Sequence, residues 1–158
     1  MKVFIRLLLK ISIVILLVVI LVYVVMVLNI KRNAGIVKTL IISHSKNEYF
    51  YLDEITPFNW DEVYFLDPYD NSKTIEQYTY KKILYYKPQF SEADMQIMFF
   101  YKGIMVCYCY GNGAQNAYYM PWNDFEKFNG KRRSDGTKIK INSQLSSKLG
   151  YIYLEPTD

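Results

Sequence analysis

The hydrophobic positions of this chain form one long unbroken run near the N-terminus and shorter, mixed segments after it. From Ile11 to Ile30 there are twenty residues without a charge, and only Ser12 and Asn29 among them are clearly polar. About twenty apolar residues are enough to cross the roughly 30 Å hydrocarbon core of a bilayer. A secretory signal has a shorter apolar region, followed by a small-residue cleavage site. The pattern therefore predicts an uncleaved helix that anchors the chain in a lipid bilayer.

We divide the sequence into a membrane anchor at residues 1–32 and a domain at residues 33–158. Basic residues on the two sides of the apolar run nearly balance, although positive charge normally marks the cytoplasmic side. The amino terminus adds a charge to the short side, and long domains translocate largely regardless of their own charge. We therefore expect a single-pass protein of the cell membrane, with an extracytoplasmic C-terminal domain.

Segments rich in β-branched and aromatic residues follow the anchor, and such segments favour strands. Helical spacing occurs once, from a cap at Asn71 or Ser72 through about Tyr86, shortly before Pro88. We expect this to be the one helix of the domain. The predicted strands outside the hairpin described next are Ile36–Ser43, Tyr49–Leu52, Asp61–Leu66, Ala117–Met120, Lys138–Ile141 and Tyr151–Leu154.

The clearest local pattern is a pair of apolar, aromatic segments, Met95–Tyr101 and Ile104–Tyr110, separated only by Lys102-Gly103. A two-residue separation of this kind predicts a β-hairpin. Both faces of the second segment are largely apolar, which is typical of a strand at the centre of a sheet. Together the elements predict an α+β fold, in which an N-terminal transmembrane helix precedes a small, mainly antiparallel β-sheet domain with one helix.

The net charge of +4 comes from the anchor rather than from the domain. Residues 1–32 hold five Lys and Arg and no acidic residue, which leaves 14 Lys and Arg against 15 Asp and Glu in the rest. A near-neutral domain lacks the basic surface that binds phosphate backbones. We therefore expect no nucleic-acid partner.

Motifs for catalysis or cofactor binding do not occur in the sequence: there is no glycine-rich phosphate loop, no zinc-binding spacing and no nucleophile motif. His44 is the only histidine, and a catalytic base also needs a partner that orients it. Cys107 and Cys109 would share one strand face, a geometry that disfavours a mutual disulfide. We predict that the protein is not an enzyme and uses no cofactor or metal.

Paired acidic residues are the remaining candidates for chemistry, at Asp53-Glu54, at Asp61-Glu62 and at Asp67 with Asp70. A glycosidase-like pair requires one carboxyl group with a raised pKa in a cleft, which a sequence does not reveal. A calcium site built from Asp67, Asp70 and Asn71 lacks the spacing of a known loop. We interpret these acids as solvated residues of loops and strand ends.

Tyrosine is unusually frequent, with 15 of the 16 tyrosines after the anchor. This side chain combines a large contact area with a polar tip and is enriched at protein interfaces. It also suits half-buried strands, so a tyrosine-lined binding face and a purely structural use are both open. Trp60 and Tyr64 would face inward together if they share a strand face. The candidate binding residues are Trp60, Tyr64, Tyr69, Tyr108 and Tyr110.

The stretch Phe58-Asn59-Trp60-Asp61-Glu62-Val63-Tyr64, continued by Pro68-Tyr69, resembles a pattern in small bacterial envelope proteins, many of them lipoproteins. Those proteins share an aromatic-x-Trp-Asp-x-Val-Tyr stretch, a Pro-Tyr turn and a helix, followed by a hairpin like Met95–Tyr110. The resemblance covers residues 50–115 approximately and implies a small α+β domain at the cell surface, with no activity to carry over. This chain departs from the pattern in having a membrane helix instead of a lipidated cysteine.

Two classes of function fit these observations. The overall plan is similar to that of membrane-tethered immunity proteins against secreted toxins. We therefore favour a membrane-anchored, non-catalytic binding protein at the bacterial cell surface, an immunity or inhibitor protein whose partner is a toxin or an envelope protein. The alternative is an envelope hydrolase or a small-ligand sensor, which a cleft holding His44 beside a carboxylate would support.

Overall fold

A helix of 42 residues leads into a domain built mainly of strands. The computed structural model describes residues 2–89, 91–130 and 133–157. In chain order the elements are α1 (Lys2–Ser43), β1 (Tyr49–Tyr51), β2 (Glu62–Leu66), α2 (Ser72–Thr79), β3 (Asp94–Tyr101), β4 (Ile104–Asn112), α3 (Gly113–Asn116), β5 (Tyr118–Tyr119), α4 (Trp122–Phe125), β6 (Lys138–Ile141), α5 (Ser143–Leu149) and β7 (Ile152–Pro156). Short 3₁₀ turns lie at Leu52–Glu54, Glu126–Phe128 and Arg133–Asp135.

The helix α1 is long and apolar enough to be a transmembrane or signal-anchor segment. Every residue from Leu7 to Val25 is exposed, as expected of a surface that contacts lipid. The same helix then enters the domain, where Ile30, Val37 and Ile41 are at most 2 % exposed. The apolar helix therefore also supplies part of the domain core.

The strand predicted at Ile36–Ser43 is wrong, because α1 runs through this segment without a break. β-branched residues favour strands only weakly, and the burial of an apolar helix face overrides that preference. The helix also crosses the proposed boundary between residues 32 and 33. The division into an anchor at 1–32 and a domain at 33–158 stays a prediction.

The strands form two sheets that share one core, with the orders β1-β6-β7-β5 and β2-β3-β4. All pairings are antiparallel except that of β5 with β7. Side chains from both sheets pack together with the end of α1, among them Phe50, Ile139 and Leu154 from one sheet and Phe65 and Ile97 from the other. This arrangement confirms the predicted α+β class with its mainly antiparallel strands.

The predicted hairpin is confirmed by β3 and β4. Lys102 and Gly103, at its turn, have φ angles of 50° and 77°, the left-handed conformations that a tight two-residue hairpin turn requires. The expected central position of β4 is wrong, since β3 is central and β4 lies at the edge. Its two apolar faces have another cause: the three-stranded sheet is covered on both sides, on the second side by a cluster that includes Ile75 of α2 and Met98.

The predicted domain helix exists but is shorter than expected. The Asn71 side chain caps α2 as predicted, accepting bonds from two backbone N–H groups. The helix stops at Thr79 because Tyr80 adopts a left-handed conformation with a φ of 57°. The Glu76 carboxylate then accepts a bond of 2.8 Å from the backbone N–H of Ile83, which folds the following chain back. The other short helices, α3 to α5, were not predicted.

We expect the core packing of α1 to be measurable with two neighbouring residues. Ile41 is fully buried whereas Ile42 is 43 % exposed. Ile41→Ala should lower the free energy of unfolding by about 3 kcal/mol, and Ile42→Ala by less than about 0.5 kcal/mol. Denaturant unfolding of the full chain in detergent micelles measures the difference. The readout is thiol labelling of Cys107 and Cys109, which are buried in the folded chain. Equal effects would contradict a core role for this part of α1.

Candidate functional site

Two adjoining cavities form one groove where β2 ends. Their volumes are about 450 Å³ and about 410 Å³, and both are lined by Asp67 and Trp122. We call this surface the acidic groove. Its main lining residues are Asp67, Tyr69, Asp70, Glu92, Tyr119, Trp122, Glu126 and Tyr153.

A tight turn after β2 builds one wall of the acidic groove. The Asp67 carboxylate accepts a bond of 2.8 Å from the backbone N–H of Tyr69, and the N–H of Asp70 donates to the Asp67 carbonyl at 3.0 Å. Proline at position 68 suits such a turn because its φ is already fixed. The Tyr69 side chain is 59 % exposed as a result.

The fully buried Gln96 side chain contacts this turn from inside the domain. Its amide nitrogen lies 2.9 to 3.1 Å from the carbonyl oxygens of Asp67, Pro68 and Asp70, which share its two N–H donors. The Tyr108 hydroxyl lies 2.6 Å from the Gln96 side-chain oxygen. A buried polar group that satisfies three carbonyls costs far less than an unpaired one, so this network fixes the wall of the groove to the central strand β3.

Aromatic residues form the other wall. The Tyr119 ring centroid lies 5.8 Å from that of Tyr153 and 6.4 Å from that of Tyr151. The Tyr119 hydroxyl donates to the Glu92 carbonyl at 3.1 Å. Burial, together with the nearby tyrosines and carboxylates, raises the pKa of Tyr119 to about 12. The phenol is neutral near neutral pH, and its hydroxyl is held at the Glu92 carbonyl.

The groove has the electrostatic character of a site for a cationic group. Of the described residues that line it, four are acidic and none is Lys or Arg. Carboxylates bind ammonium and guanidinium groups through charge-assisted hydrogen bonds, and the faces of Tyr and Trp attract the same cations. A Lys or Arg side chain of a partner fits this combination.

Two of the predicted binding residues are structural. Trp60 is 4 % exposed; its indole N–H donates to the Thr56 hydroxyl at 2.8 Å, and its ring packs edge-to-face on Phe99. Tyr108 is 1 % exposed and belongs to the core on the other side of the three-stranded sheet. Both side chains stabilise the domain from inside rather than meeting solvent.

The other predicted residues differ in exposure and position. Tyr64 is half-buried and donates to a Glu62 carboxylate oxygen at 2.8 Å; it does not share a core with Trp60, because Trp60 lies before β2 begins. Tyr110 is half-buried and 4.9 Å from Tyr108 between ring centroids. Only Tyr69, among the five, lines the acidic groove. A binding role for these residues stays a prediction.

His44 lies at the end of α1 and makes helix-end contacts. Its Nδ1 is 2.7 Å from the Leu40 carbonyl, so this nitrogen carries the proton and donates it. The Ser43 hydroxyl, 3.2 Å from Nδ1, donates to the same carbonyl at 2.7 Å. A protonated Nδ1 does not accept the serine proton, and the ring packs on Phe50. These contacts assign His44 a role at the helix terminus.

The acidic pairs also have structural partners. Glu54 accepts from the Tyr51 N–H at 2.8 Å, Asp61 accepts from the Lys102 N–H at 2.7 Å, and Glu62 forms an ion pair of 2.9 Å with Lys81. Within the part of the chain that the structure describes, no group of three or more His, Cys, Asp or Glu side chains lies close enough to hold a metal ion.

The two cysteines are free thiols inside the core. Their sulfur atoms are 3.7 Å apart, and both side chains are buried. Burial raises the pKa of the Cys107 thiol well above its usual range, which keeps the thiol protonated and poorly nucleophilic.

Comparison with known proteins adds no further assignment: no family model, no curated protein and no solved structure matches this chain. The resemblance to small bacterial envelope proteins therefore stays a prediction that rests on the residues quoted for it.

Sequence reasoning missed most of the acidic groove. Its lining comes from segments far apart in the chain, at residues 67–70, 92, 119–123 and 153. No local signal sets Trp122 apart, because it directly follows the apolar and aromatic stretch Ala117–Pro121, and large aromatic residues are highly buried on average.

The pKa of Tyr119 predicts how stability depends on pH. Because the folded state disfavours ionised Tyr119, this residue contributes stability that is fully present below pH 10 and is lost between pH 10 and 12, as its folded pKa of about 12 is approached. The loss should be shallower in Tyr119→Phe. Denaturant midpoints at a series of pH values, with the unmodified chain as control, measure it. Identical slopes for both chains would contradict the burial of this phenol.

Proposed function

We propose that this protein is a membrane-anchored, non-catalytic binding protein of the bacterial cell surface that captures a basic segment of a partner protein in its acidic groove. An immunity or inhibitor protein that neutralises a toxin would act in this way. The observation that carries the proposal is the combination, in one groove, of four acidic residues with the exposed Tyr69 and the half-buried Trp122. No catalytic constellation is needed for such a role.

The position of the groove supports the proposal. The turn of the hairpin lies beside α1, where Ile104 lines a cavity with Met26 and Asn29. The groove begins after Leu66, which pairs with Gln96. Gln96 lies near the end of β3 that is farther from the hairpin turn. It therefore lies on the side of the domain away from the apolar part of α1, where a soluble partner has access to it.

A photo-crosslinking amino acid in place of Tyr69 tests the proposal in cells that make the full chain. Tyr49 is the matched control, since it is 46 % exposed, against 59 % for Tyr69, but lies on β1 outside the groove. We expect a crosslinked protein partner from position 69 and none from position 49. Crosslinking to lipid alone, or the same products from both positions, would contradict the proposal.

Substitutions separate binding from chemistry. Tyr69→Ala and Trp122→Ala should each weaken partner capture by about 2 kcal/mol or more, as truncated aromatic anchors do. His44→Ala should leave capture unchanged, because the His44 ring contacts the end of α1 and Phe50. Loss of function in a folded His44→Ala chain, with unaffected groove variants, would favour the hydrolase class instead.

The expected orientation has its own test. With the N-terminus inside, protease added to intact spheroplasts should digest the domain while leaving the N-terminal part of α1 in the membrane. A cytoplasmic protein in the same spheroplasts is the control for lysis. A domain that resists digestion until the membrane is permeabilised would show the reverse orientation.

A further inference from the structure

One loop of the domain lies beside the apolar run of α1. The Tyr23 hydroxyl donates to the backbone carbonyl of Leu84 at 3.3 Å, and the Lys31 ammonium lies 5.4 Å from the centre of the Tyr85 ring. Tyr23 precedes Ile30, the last residue of the uncharged run, by seven positions, or about 10 Å along a helix.

The position of this contact along α1 is fixed by the packing of α1 on the domain. The Asn33 side-chain amide donates to the Val106 carbonyl at 2.8 Å, and the Lys38 ammonium donates to the Gln115 carbonyl at 2.9 Å. Ile30 is buried in the core between these contacts and Tyr23. Leu84 and Tyr85 are therefore held beside the helix at the level of residues 23–31. Tyr86 turns away from this level, since its hydroxyl donates to the Asp70 carbonyl at 2.8 Å.

The backbone of segment 80–85 is irregular, which is incompatible with the hydrocarbon core. Backbone groups without regular partners cost several kcal/mol each in lipid. Lys81 and Lys82 are ion-paired with Glu62 and Glu76, each at 2.9 Å, and burying these pairs in hydrocarbon would add to the cost. If the bilayer core extended to Ile30, this segment would lie inside it. The hydrocarbon boundary must instead fall near Tyr23.

The chemistry of the segment fits the zone just above that boundary. From Tyr78 to Gln89 the sequence has four tyrosines, three lysines and no acidic residue, the combination that anchors proteins at membrane interfaces. Tyr80 is 92 % exposed, Leu84 is 38 % exposed, and Ile104 at the hairpin turn is 51 % exposed. Such side chains gain free energy by leaving water for the headgroup region.

We infer that residues 80–85, together with the tip of the β3–β4 hairpin, dock into the lipid headgroup region and that α1 leaves the hydrocarbon core near Tyr23. The predicted end of the span, Ile30, is thereby shifted by about seven residues towards the N-terminus. Lys10 then reaches the headgroups on the N-terminal side through its long side chain. The partner of this surface is the bilayer itself.

The docking of the loop is tested by tryptophan fluorescence in proteoliposomes of phosphatidylethanolamine and phosphatidylglycerol that contain the full chain. Leu84→Trp places a reporter on the docked segment, and Tyr49→Trp places one on β1, near the far end of α1; the unmodified chain gives the background from its two tryptophans. Lipids brominated near the headgroup end of their chains should quench the Leu84→Trp emission and leave the Tyr49→Trp emission unchanged. Equal quenching of the two variants would overturn the inference.

The shifted span is tested by thiol labelling in the same vesicles. Leu17 and Leu28 are each 60 % exposed in the structure, so the protein itself shields them equally. A membrane-impermeant maleimide should label Leu28→Cys and should label Leu17→Cys only after detergent is added. The buried Cys107 and Cys109 of the unmodified chain should stay unlabelled, which reports an intact fold. Protection of Leu28→Cys equal to that of Leu17→Cys would overturn the shift.

Discussion

The open edge of β4 is closed by a helix rather than by another strand. An uncovered edge presents unpaired backbone groups and invites aggregation, and the Asn33 amide satisfies one of them at the Val106 carbonyl. The same helix buries Ile30, Val37 and Ile41, so the sheet edge and the core are completed by one element. Because that element is also the apolar helix, the domain and the apolar helix are parts of one folded unit.

The local features of the fold were predictable from the sequence, and the features that depend on packing were not. The hairpin at Lys102-Gly103 is set by neighbouring residues, as is the Asn71 cap of α2. The continuation of α1 through Ile36–Ser43 is not, since its β-branched composition favours the opposite structure and only contact with β4 and the core decides it. The early end of α2 likewise depends on a Glu76 contact with a residue further along the chain.

In the candidate site too, local features were predictable from the sequence and features that depend on packing were not. Tyrosine content indicated an aromatic surface, but which tyrosines meet solvent depends on distant partners. The hydroxyl of the buried Tyr108 bonds to Gln96, twelve residues away. The same glutamine bonds to the turn on which the exposed Tyr69 lies. A sequence pattern does not distinguish these two tyrosines, because the difference arises from one buried amide shared between two strands and a turn.

Because α1 is unbroken, a tilt of its apolar part also moves the rest of the domain. Transmembrane helices tilt by about 20° on average and tilt further when the bilayer thins. The segment from Val27 to Ser43 belongs to one helix with the apolar part and is about 25 Å long at 1.5 Å per residue. A tilt of that size moves its far end sideways by about 9 Å. In the proposed membrane-anchored state, a change in bilayer thickness would therefore move the domain sideways relative to the lipid surface.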